Sequence, residues 1–339
     1  MSGIGIIGAG GIGKRLRERL QEMNLKVTFV LRREHFEYRG LQYLRGGRSL
    51  EALLAEFESA IPETMCIAMS TTDKGAEARD YIQACLNAGI EVITCEKGSL
   101  AYHAAELAKY LPSSPSYRHR QKLAYTAAVG GGTQMLKMLH DRHLHTRKAE
   151  VHGVINGTCN YIFDEVARGG RTLGEACNEA ARLGYAEPGA RDPLSLINGE
   201  LRDVVMKTCV LFNTTFAEDE YLTPDTLGNF ELSAEQIEEL SAKAASHRLV
   251  VSFSNRKHKR EHRFFNGHFR AQVGDWSVEG GFRNTYADNE LLSWLPGGVG
   301  NAIHVVEGEL GSGGKYTLTG PGAGHEPTTT AMLNDLFDE

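Results

Sequence analysis

Short apolar runs alternate with stretches of helical spacing over roughly the first 130 residues. The apolar runs predict strands, and the segments whose apolar residues recur every three or four positions predict helices. The predicted strands are residues 4–8, 26–31, 65–69, 91–95 and 122–128, and the predicted helices are residues 14–23, 49–58, 75–88 and 104–109. Strands that alternate with helices indicate βαβ units. We therefore expect an α/β fold with a doubly wound parallel sheet.

The pattern changes from about residue 132. Helical spacing continues over residues 135–140, 160–167, 172–183, 202–212 and 233–246, and alternating segments follow at 249–254, 263–273, 276–279, 302–307 and 316–319. Alternation of this kind predicts antiparallel strands, so this part reads as an α+β domain. A glycine turn and a last helix end the chain. We expect one domain over residues 1–134, completed by 315–339, and a second over 135–314.

Composition and charge exclude several classes of protein. The 339 residues carry a net charge of −6, which argues against a dedicated binder of nucleic acid or of anionic membranes. No apolar run approaches the 18–20 residues of a membrane span, and the first residues lack the features of a secretory signal. The six cysteines are dispersed without a C-x-x-C motif, which favours reduced thiols in a cytoplasmic protein.

A glycine-rich turn separates the first predicted strand from the first predicted helix. Its sequence, Gly8-Ala9-Gly10-Gly11-Ile12-Gly13, fits the G-x-G-x-x-G pattern of dinucleotide-binding folds. Gly8 would allow the tight turn, Gly10 would let the backbone approach a pyrophosphate, and Gly13 would permit close packing of helix on strand. The helix N-terminus would then offer N–H groups to the phosphates. We therefore expect a Rossmann-type sheet that binds a dinucleotide.

The end of the second predicted strand bears on which dinucleotide is bound. A fold that prefers NAD usually has an acidic residue there, which accepts a hydrogen bond from the ribose 2′-hydroxyl. Here the strand ends in Leu31-Arg32-Arg33, and two guanidinium groups suit a 2′-phosphate. The sequence therefore favours NADP. Glu34 follows at once, so NAD stays open as the alternative.

Asp203 and Lys207 lie four residues apart in a predicted helix and so share one face. The residues around them make this helix apolar nearly all round, which predicts that it is buried. A buried carboxylate–ammonium pair costs desolvation and is poor support for stability alone. We therefore interpret the pair as functional, with a surface ion pair as the alternative.

Several segments, in order along the chain, resemble homoserine dehydrogenase. They are residues 92–98 (VITCEKG), 153–161 (GVINGTCNY), 183–187 (LGYAE), 203–207 (DVVMK) and 320–324 (GPGAG), followed by Pro327, Thr328 and Ala331. The resemblance implies the NAD(P)-dependent interconversion of aspartate 4-semialdehyde and homoserine in threonine and methionine biosynthesis. It also implies that the first domain binds the dinucleotide and that the second is a catalytic and dimerisation domain, in a homodimer.

The resemblance also implies roles for individual residues. Lys207 would handle the proton of the reacting oxygen, Asp203 would orient the substrate and share that role, and Lys97 would assist near the carbonyl. The expected contacts with the substrate come from Glu187, which would bind the α-amino group, and from Tyr185, Gly157 and Thr158. The expected contacts with the cofactor come from Gly8, Gly10, Gly11, Ile12, Gly13, Arg32, Arg33, Ser70, Thr71, Lys97 and Gly324.

The sequence departs from the family's pattern in three places. The link between Glu187 and Asp203, residues 188–202, is longer than usual and puts the substrate's identity in doubt. Thr126 replaces the glutamate that ligates the family's monovalent cation, so the sequence disfavours a sodium site, with a site formed by the backbone of Val129, Gly131 and Thr133 as the alternative. The chain stops after the last helix, so we do not expect feedback control by threonine through an added regulatory domain.

Two other functions stay open as alternatives, and two segments that contain histidines need an interpretation. The chain could act on another amino-acid semialdehyde or amino alcohol, or it could be a dinucleotide-binding sensor without catalysis. We interpret the cluster of His140, His143 and His145 as a polar segment rather than a metal site. We interpret the basic run at residues 256–263 as a solvated hairpin loop, with the binding of an anionic regulator or partner as the alternative.

Overall fold

The computed structural model describes residues 3–56, 61–111, 123–144, 147–186, 192–257, 262–285, 294–322 and 324–337. The chain forms two compact units. We call Met1–Ala128 together with His325–Glu339 the N-terminal unit, and Val129–Gly324 the central unit. No helix among the described residues combines the length and the apolar character that a membrane crossing needs. The six cysteines are buried and free of disulfides.

The N-terminal unit contains one mixed sheet of seven strands in the order β4-β3-β2-β1-β5-β6-β7. Its strands are β1 (Ile4–Ile7), β2 (Val27–Leu31), β3 (His35–Tyr38), β4 (Leu41–Leu44), β5 (Thr64–Ile67), β6 (Glu91–Thr94) and β7 (Leu123–Ala124), and its first five helices are α1 (Gly11–Glu22), α2 (Leu50–Glu56), α3 (Ala76–Asn87), α4 (Gly98–Tyr102) and α5 (Ala104–Leu107). Strands β2, β1, β5, β6 and β7 pair in parallel. The predicted doubly wound sheet is therefore confirmed.

The hairpin of β3 and β4 is an addition that the sequence pattern did not predict. Both strands pair antiparallel and extend the sheet beyond β2. Arg39 and Gly40 connect them with φ values of 48° and 82°, and a two-residue type I′ turn requires positive φ at both positions. Strand β4 is exposed along its whole length, so it has no buried face to produce an apolar alternation.

The C-terminal helix completes the N-terminal unit. Its core is shared with α1, because Ala331, Met332 and Leu333 are buried in one cluster with Leu16 and Leu20. We expected the chain to rejoin this unit at residue 315. Residues 314–321 instead form a strand of the central sheet, and the helix that joins the N-terminal unit spans His325–Phe337.

The central unit contains an antiparallel sheet of six strands in the order β10-β11-β9-β8-β12-β13. The strands are β8 (Ala149–Val154), β9 (His247–Ser254), β10 (Phe264–Val273), β11 (Trp276–Asn284), β12 (Gly300–Glu307) and β13 (Gly314–Pro321). The helices are α6 (Met135–Asp141), α7 (Gly157–Gly169), α8 (Leu173–Arg182), α9 (Pro193–Thr215), α10 (Pro224–Leu227) and α11 (Ala234–Ala242), before the C-terminal helix α12 (His325–Phe337). The predicted α+β class is confirmed, but β8, in the middle of the sheet, was not predicted.

Two predictions need correction in the central unit. The basic run at 256–263 is not a hairpin loop, because β11 lies between β9 and β10 in the sheet. The helix predicted at residues 202–212 is longer than expected, because α9 spans Pro193–Thr215 and includes most of the link 188–202. The Asp192 carboxylate caps α9 by accepting a hydrogen bond from the Ser195 backbone N–H at 2.9 Å, and Pro193 occupies the first turn, where proline is favoured.

Candidate functional site

The glycine-rich turn between β1 and α1 has the geometry that a dinucleotide requires of it. Gly8 has φ 100°, and a Cβ there would lie 2.2 Å from the carbonyl oxygen of Ala68. A Cβ on Gly13 would lie 2.2 Å from the carbonyl oxygen of Gly8, so both positions demand glycine. A Cβ on Gly10 would have no atom of the described structure within 4 Å. The turn is therefore closed on its protein side and open at Gly10, where we predicted the pyrophosphate.

The first turn of α1 shows how the other predicted residues of this loop are placed. The half-buried side chain of Ile12 packs against the core of the N-terminal unit. The imidazole of His325 lies over Gly11, where an added Cβ would be 2.2 Å from its Cε1 atom. Sequence reasoning missed His325, and the only signal was its position directly after the G-P-G-A-G turn.

The carboxyl ends of three neighbouring parallel strands place further predicted residues on one edge of the sheet. Gly8 follows β1, Ser70 and Thr71 follow β5, and Lys97 follows β6. Ligands of open α/β sheets bind outside this edge. Lys97 directly precedes α4 and is half-buried. The structure therefore brings these predicted cofactor residues together.

Glu96 is a buried carboxylate at this edge that sequence reasoning missed. It is only 1% exposed. Its oxygens accept hydrogen bonds from the backbone N–H groups of Gly98 at 2.7 Å and Ser99 at 2.8 Å, and from the hydroxyl of Thr71. Glu96 thus fixes Thr71 and the backbone that carries Lys97. An acidic residue just before a helix was the available signal.

Arg32 and Arg33 are exposed directly after β2, where a ribose phosphate was predicted. A carboxylate also lies nearby, because Glu37 is on the neighbouring strand β3. Arg17 binds both oxygens of Glu37, at 2.7 and 2.8 Å. These hydrogen bonds and the charges of Arg17 and Arg32 outweigh partial burial and hold the pKa of Glu37 below its usual value. Glu37 is therefore ionised and already engaged by Arg17.

The predicted pair on α9 forms in the central unit. The Lys207 Nζ atom lies 2.7 Å from the Asp203 carboxylate, and the two side chains are 13% and 18% exposed. The helix around them is largely buried, as predicted. Lys207 also donates a hydrogen bond to the carbonyl oxygen of Ile155 at 3.2 Å. The ammonium group is thus held by two oxygens, one from its own helix and one from the segment between β8 and α7.

Asn156 joins this pair to a second carboxylate. Its side-chain oxygen caps α7 by accepting from the Cys159 N–H at 2.7 Å. Its amide nitrogen donates to Glu200 at 2.7 Å and to Asp203 at 3.2 Å. We call Asn156, Glu200, Asp203 and Lys207 the Lys207 cluster. Glu200 was missed in the sequence, although it lies one helical turn before Asp203 and thus on the same face of α9.

The predicted substrate contacts begin at the first turn of α7. Gly157 is its first residue, and a Cβ there would lie 2.5 Å from the Val299 carbonyl oxygen. The Thr158 hydroxyl donates to the Tyr185 carbonyl oxygen at 2.8 Å. The Tyr185 ring packs edge-on against Tyr161, with ring centres 5.1 Å apart. Glu187 lies outside the described residues, so its predicted role stays a prediction.

The predicted cation loop adopts a tight glycine turn in the central unit. Gly130 and Gly131 have φ values of 92° and 57°, and the Thr133 N–H donates to the Gly130 carbonyl oxygen at 2.9 Å. Thr126, in the N-terminal unit, donates its hydroxyl to Asp335 at 2.6 Å. A cation at Val129, Gly131 and Thr133 stays a prediction.

Three remaining predictions concern Gly324 and the two histidine-bearing segments. Gly324 directly precedes α12 with φ 110°, and its predicted cofactor contact stays a prediction. His140 bonds to the Thr214 carbonyl oxygen at 2.8 Å, whereas His145 lies outside the described residues. The prediction of a solvated basic run is wrong at Arg256 and His262, whose side chains are buried.

Comparisons with known proteins give a consistent result. The homoserine dehydrogenase family model matches residues 135–337, and the ketopantoate reductase PanE/ApbA family model matches residues 4–116. The homoserine dehydrogenase of Lactococcus lactis subsp. lactis is 25% identical over 341 residues, which cover 98% of this chain and 73% of that protein. The NAD(+)-dependent homoserine dehydrogenase of Pseudomonas canavaninivorans is 26% identical over 266 residues, which cover 78% of this chain and 66% of that protein.

A solved structure shows the same fold. It is a hyperthermophilic archaeal homoserine dehydrogenase in complex with NADPH, with a TM-score of 0.67 and 22% identity. The match covers 99% of this chain and 96% of that one. The likeness therefore extends over both units.

Proposed function

Because the chain belongs to the homoserine dehydrogenase family, we propose that it catalyses the reversible, NADPH-dependent reduction of L-aspartate 4-semialdehyde to L-homoserine, in threonine and methionine biosynthesis. It is an NAD(P)-dependent oxidoreductase that acts on a CH–OH group. The observation that carries the proposal is the Lys207 cluster, in which an ammonium group is held 2.7 Å from a carboxylate on the same face of one helix.

Lys207 is suited to transfer the proton in this reaction. The bound dinucleotide supplies or accepts a hydride at the substrate's C4 carbon. The ammonium group has three N–H donors, of which Asp203 and the Ile155 carbonyl oxygen take two. The third would donate to the carbonyl oxygen of the semialdehyde and give up its proton as the hydride arrives. In the reverse direction the neutral amine would accept the proton of the homoserine hydroxyl.

The carboxylates of the Lys207 cluster also suit the other end of the substrate. Glu200 and Asp203 place two carboxylates side by side, and Asn156 donates a hydrogen bond to each. A carboxylate attracts the α-ammonium group that both aspartate 4-semialdehyde and homoserine carry. In this proposal Glu200 acts together with Glu187 on the amino group, and Tyr185, Gly157 and Thr158 complete that end of the pocket.

The N-terminal unit would bind the dinucleotide. The open backbone at Gly10 and the N–H groups at the start of α1 would contact the pyrophosphate. Arg32 and Arg33 would bind the 2′-phosphate of NADP. Glu37 on β3 is ionised, and a free carboxylate there would favour NAD over NADP. Arg17, however, already binds both of its oxygens. Lys97 would add positive charge near the carbonyl oxygen.

The test is absorbance at 340 nm with homoserine and either NADP or NAD. We expect turnover with homoserine and a higher kcat/KM with NADP than with NAD. Turnover with a different amino alcohol but none with homoserine would overturn the assignment of substrate. Binding of NADPH without turnover of any amino alcohol would instead indicate a sensor. We further propose a homodimer in the cytoplasm, whose mass in sedimentation should be twice the 37.2 kDa of one chain.

A further inference from the structure

A buried row of polar side chains crosses one face of the central sheet. His304 of β12 pairs with His152 of β8, His152 with Ser252 of β9, and Ser252 with Glu279 of β11. Directly paired residues point to the same face of a sheet. The opposite face is apolar and packs on helices, as the contact of Phe163 in α7 with Phe282 in β11 shows. The polar row therefore lies on the face of the sheet that is turned away from α7.

Three side chains on this polar face converge on one point. They are Glu150 and His152 of β8, and His262, which precedes β10. The Nε2 atom of His152 lies 3.5 Å from Glu150 Oε1, and the Nε2 atom of His262 lies 4.0 Å from the same oxygen. All three ligand atoms lie within 4.8 Å of one another. The side chains of Glu150 and His262 are each 6% exposed, and that of His152 is 13% exposed.

The second ring nitrogen of each histidine is held by an oxygen atom. His152 Nδ1 lies 2.8 Å from the Ser252 hydroxyl, and His262 Nδ1 contacts the Glu279 carboxylate. Glu279 in turn accepts a hydrogen bond from Arg270 at 2.8 Å. Such outer partners are typical of metal-binding histidines, because they fix the tautomer and the ring orientation. Both Nε2 atoms face Glu150 Oε1, at 3.5 Å for His152 and 4.0 Å for His262.

The Nε2 atom of His262 is the most informative group in this arrangement. It is buried and has no hydrogen-bond partner among the described residues. A buried polar atom without a partner costs free energy unless something absent from the protein chain satisfies it. A metal ion bound at Nε2 would satisfy this atom.

We propose that Glu150, His152 and His262 bind one zinc ion, in a site separate from the dehydrogenase reaction. Two imidazole nitrogens and one carboxylate oxygen form a donor set that zinc favours, and zinc with three protein ligands takes water in the fourth position. Tetrahedral bonds of 2.0–2.1 Å require ligand atoms about 3.3 Å apart. The pair at 3.5 Å meets this spacing, and the others must close by about an ångström.

The zinc ion would have a structural effect on the central unit. His262 precedes the edge strand β10, whereas Glu150 and His152 lie on the interior strand β8. One ion would therefore tie the start of β10 to the middle of the sheet, across β9 and β11. Binding that occurs only in the folded state adds to stability by mass action.

The test is a zinc titration of the untagged, full-length protein. The protein is treated with EDTA, exchanged into metal-free buffer and titrated in competition with a chromophoric chelator. The ligand variants are His152→Gln, His262→Gln and Glu150→Gln. His268→Gln is the matched control, because His268 is exposed on β10 and stacks on Phe264 outside the cluster. Homoserine turnover and near-ultraviolet circular dichroism report whether each variant is folded.

We expect one zinc ion per wild-type chain and the same affinity in His268→Gln. Each ligand variant should weaken zinc binding by at least about tenfold, and Ser252→Ala should weaken it by about tenfold through the loss of the outer partner. Cobalt in place of zinc should give the visible absorption of a tetrahedral site, which His262→Gln abolishes. The proposal is overturned if the wild type binds zinc no more tightly than the His152→Gln/His262→Gln double variant. Glu150, His152 and His262 would then form a hydrogen-bonded network only.

Discussion

At the scale of single residues, the Asp203 carboxylate and the Ile155 carbonyl oxygen hold the ammonium group of Lys207. Replacement by methionine keeps the length of the side chain but removes the proton and the charge. We expect Lys207→Met to lower kcat by about 10²- to 10⁴-fold, the usual contribution of a positioned acid or base. NADPH binding, measured by fluorescence titration, should stay near normal. Lys315→Met, at an exposed position of β13, is the control. Full activity of Lys207→Met would contradict the role assigned to the lysine.

Glu200 tests whether the second carboxylate of the Lys207 cluster binds the amino group. Glu200→Gln removes the charge but keeps an oxygen that can accept from Asn156. We expect KM for homoserine to rise about tenfold, which corresponds to about 1.4 kcal/mol, with a smaller change in kcat. Steady-state kinetics at saturating dinucleotide measures both. A fall in kcat at constant KM would mean that Glu200 acts on the reacting oxygen instead.

Arg32 and Arg33 are the residues from which we expect a preference for NADP over NAD. Both side chains are exposed after β2, so their removal should not disturb the core. We expect the Arg32→Ala/Arg33→Ala variant to lose about tenfold or more in kcat/KM with NADP and little with NAD, because only NADP carries the 2′-phosphate. An equal loss with both dinucleotides would show that the two arginines do not contact that phosphate.

At the scale of elements, Gly8 and Gly10 of the first turn should respond differently to alanine. Gly8→Ala places a Cβ 2.2 Å from a backbone oxygen at φ 100°, so it should destabilise the N-terminal unit by more than about 1 kcal/mol. Gly10→Ala meets no atom within 4 Å and should leave the melting temperature unchanged. If the pyrophosphate lies at Gly10, this variant should still weaken NADPH binding by about tenfold. Unchanged binding would place the phosphates elsewhere.

The elements that sequence patterns predicted are those with a simple burial pattern. Strands β1, β5 and β6 are buried apolar runs, and their order with the helices indicated the parallel sheet. Strand β8 was missed although its residues alternate between apolar and polar, with Glu150 buried and His152 half-buried at the polar positions. These two residues pair with partners on distant segments, which only the folded sheet brings together.

The same limit applies to the candidate sites. Asp203 and Lys207 could be found because their contact is local, within one helix. The partner Asn156 comes from the start of α7, and its bonds to Glu200 and Asp203 depend on how α7 packs beside α9. In the basic run, charge alone predicted that Arg256 and His262 are exposed. In the structure, Arg256 instead pairs with the buried carboxylate of Glu150 on β8, and His262 pairs with that of Glu279 on β11. Tertiary partners of opposite charge overrode the local pattern.

At the scale of the whole molecule, the N-terminal unit is built from two distant parts of the chain. Helix α12 packs on α1, and Ala331, Met332 and Leu333 join the cluster that contains Leu16 and Leu20. Asp335 is buried and accepts hydrogen bonds from the Thr126 backbone N–H at 3.0 Å and from its hydroxyl. The dinucleotide turn lies at the start of α1, so its position depends on residues more than 300 positions later.

Deletion of residues 325–339 should therefore unfold the N-terminal unit selectively. Burial of a methionine or leucine side chain contributes about 1.5–3 kcal/mol, and the loss of several such side chains together with the Asp335 bonds approaches the 5–15 kcal/mol that stabilises a typical domain. We expect NADPH binding to vanish and the unfolding transition of the central unit to persist in calorimetry. Met332→Ala, which removes one buried side chain, should cost about 2–5 kcal/mol and retain NADPH binding at low temperature. A truncated chain that still binds NADPH would show that the first 128 residues fold without α12.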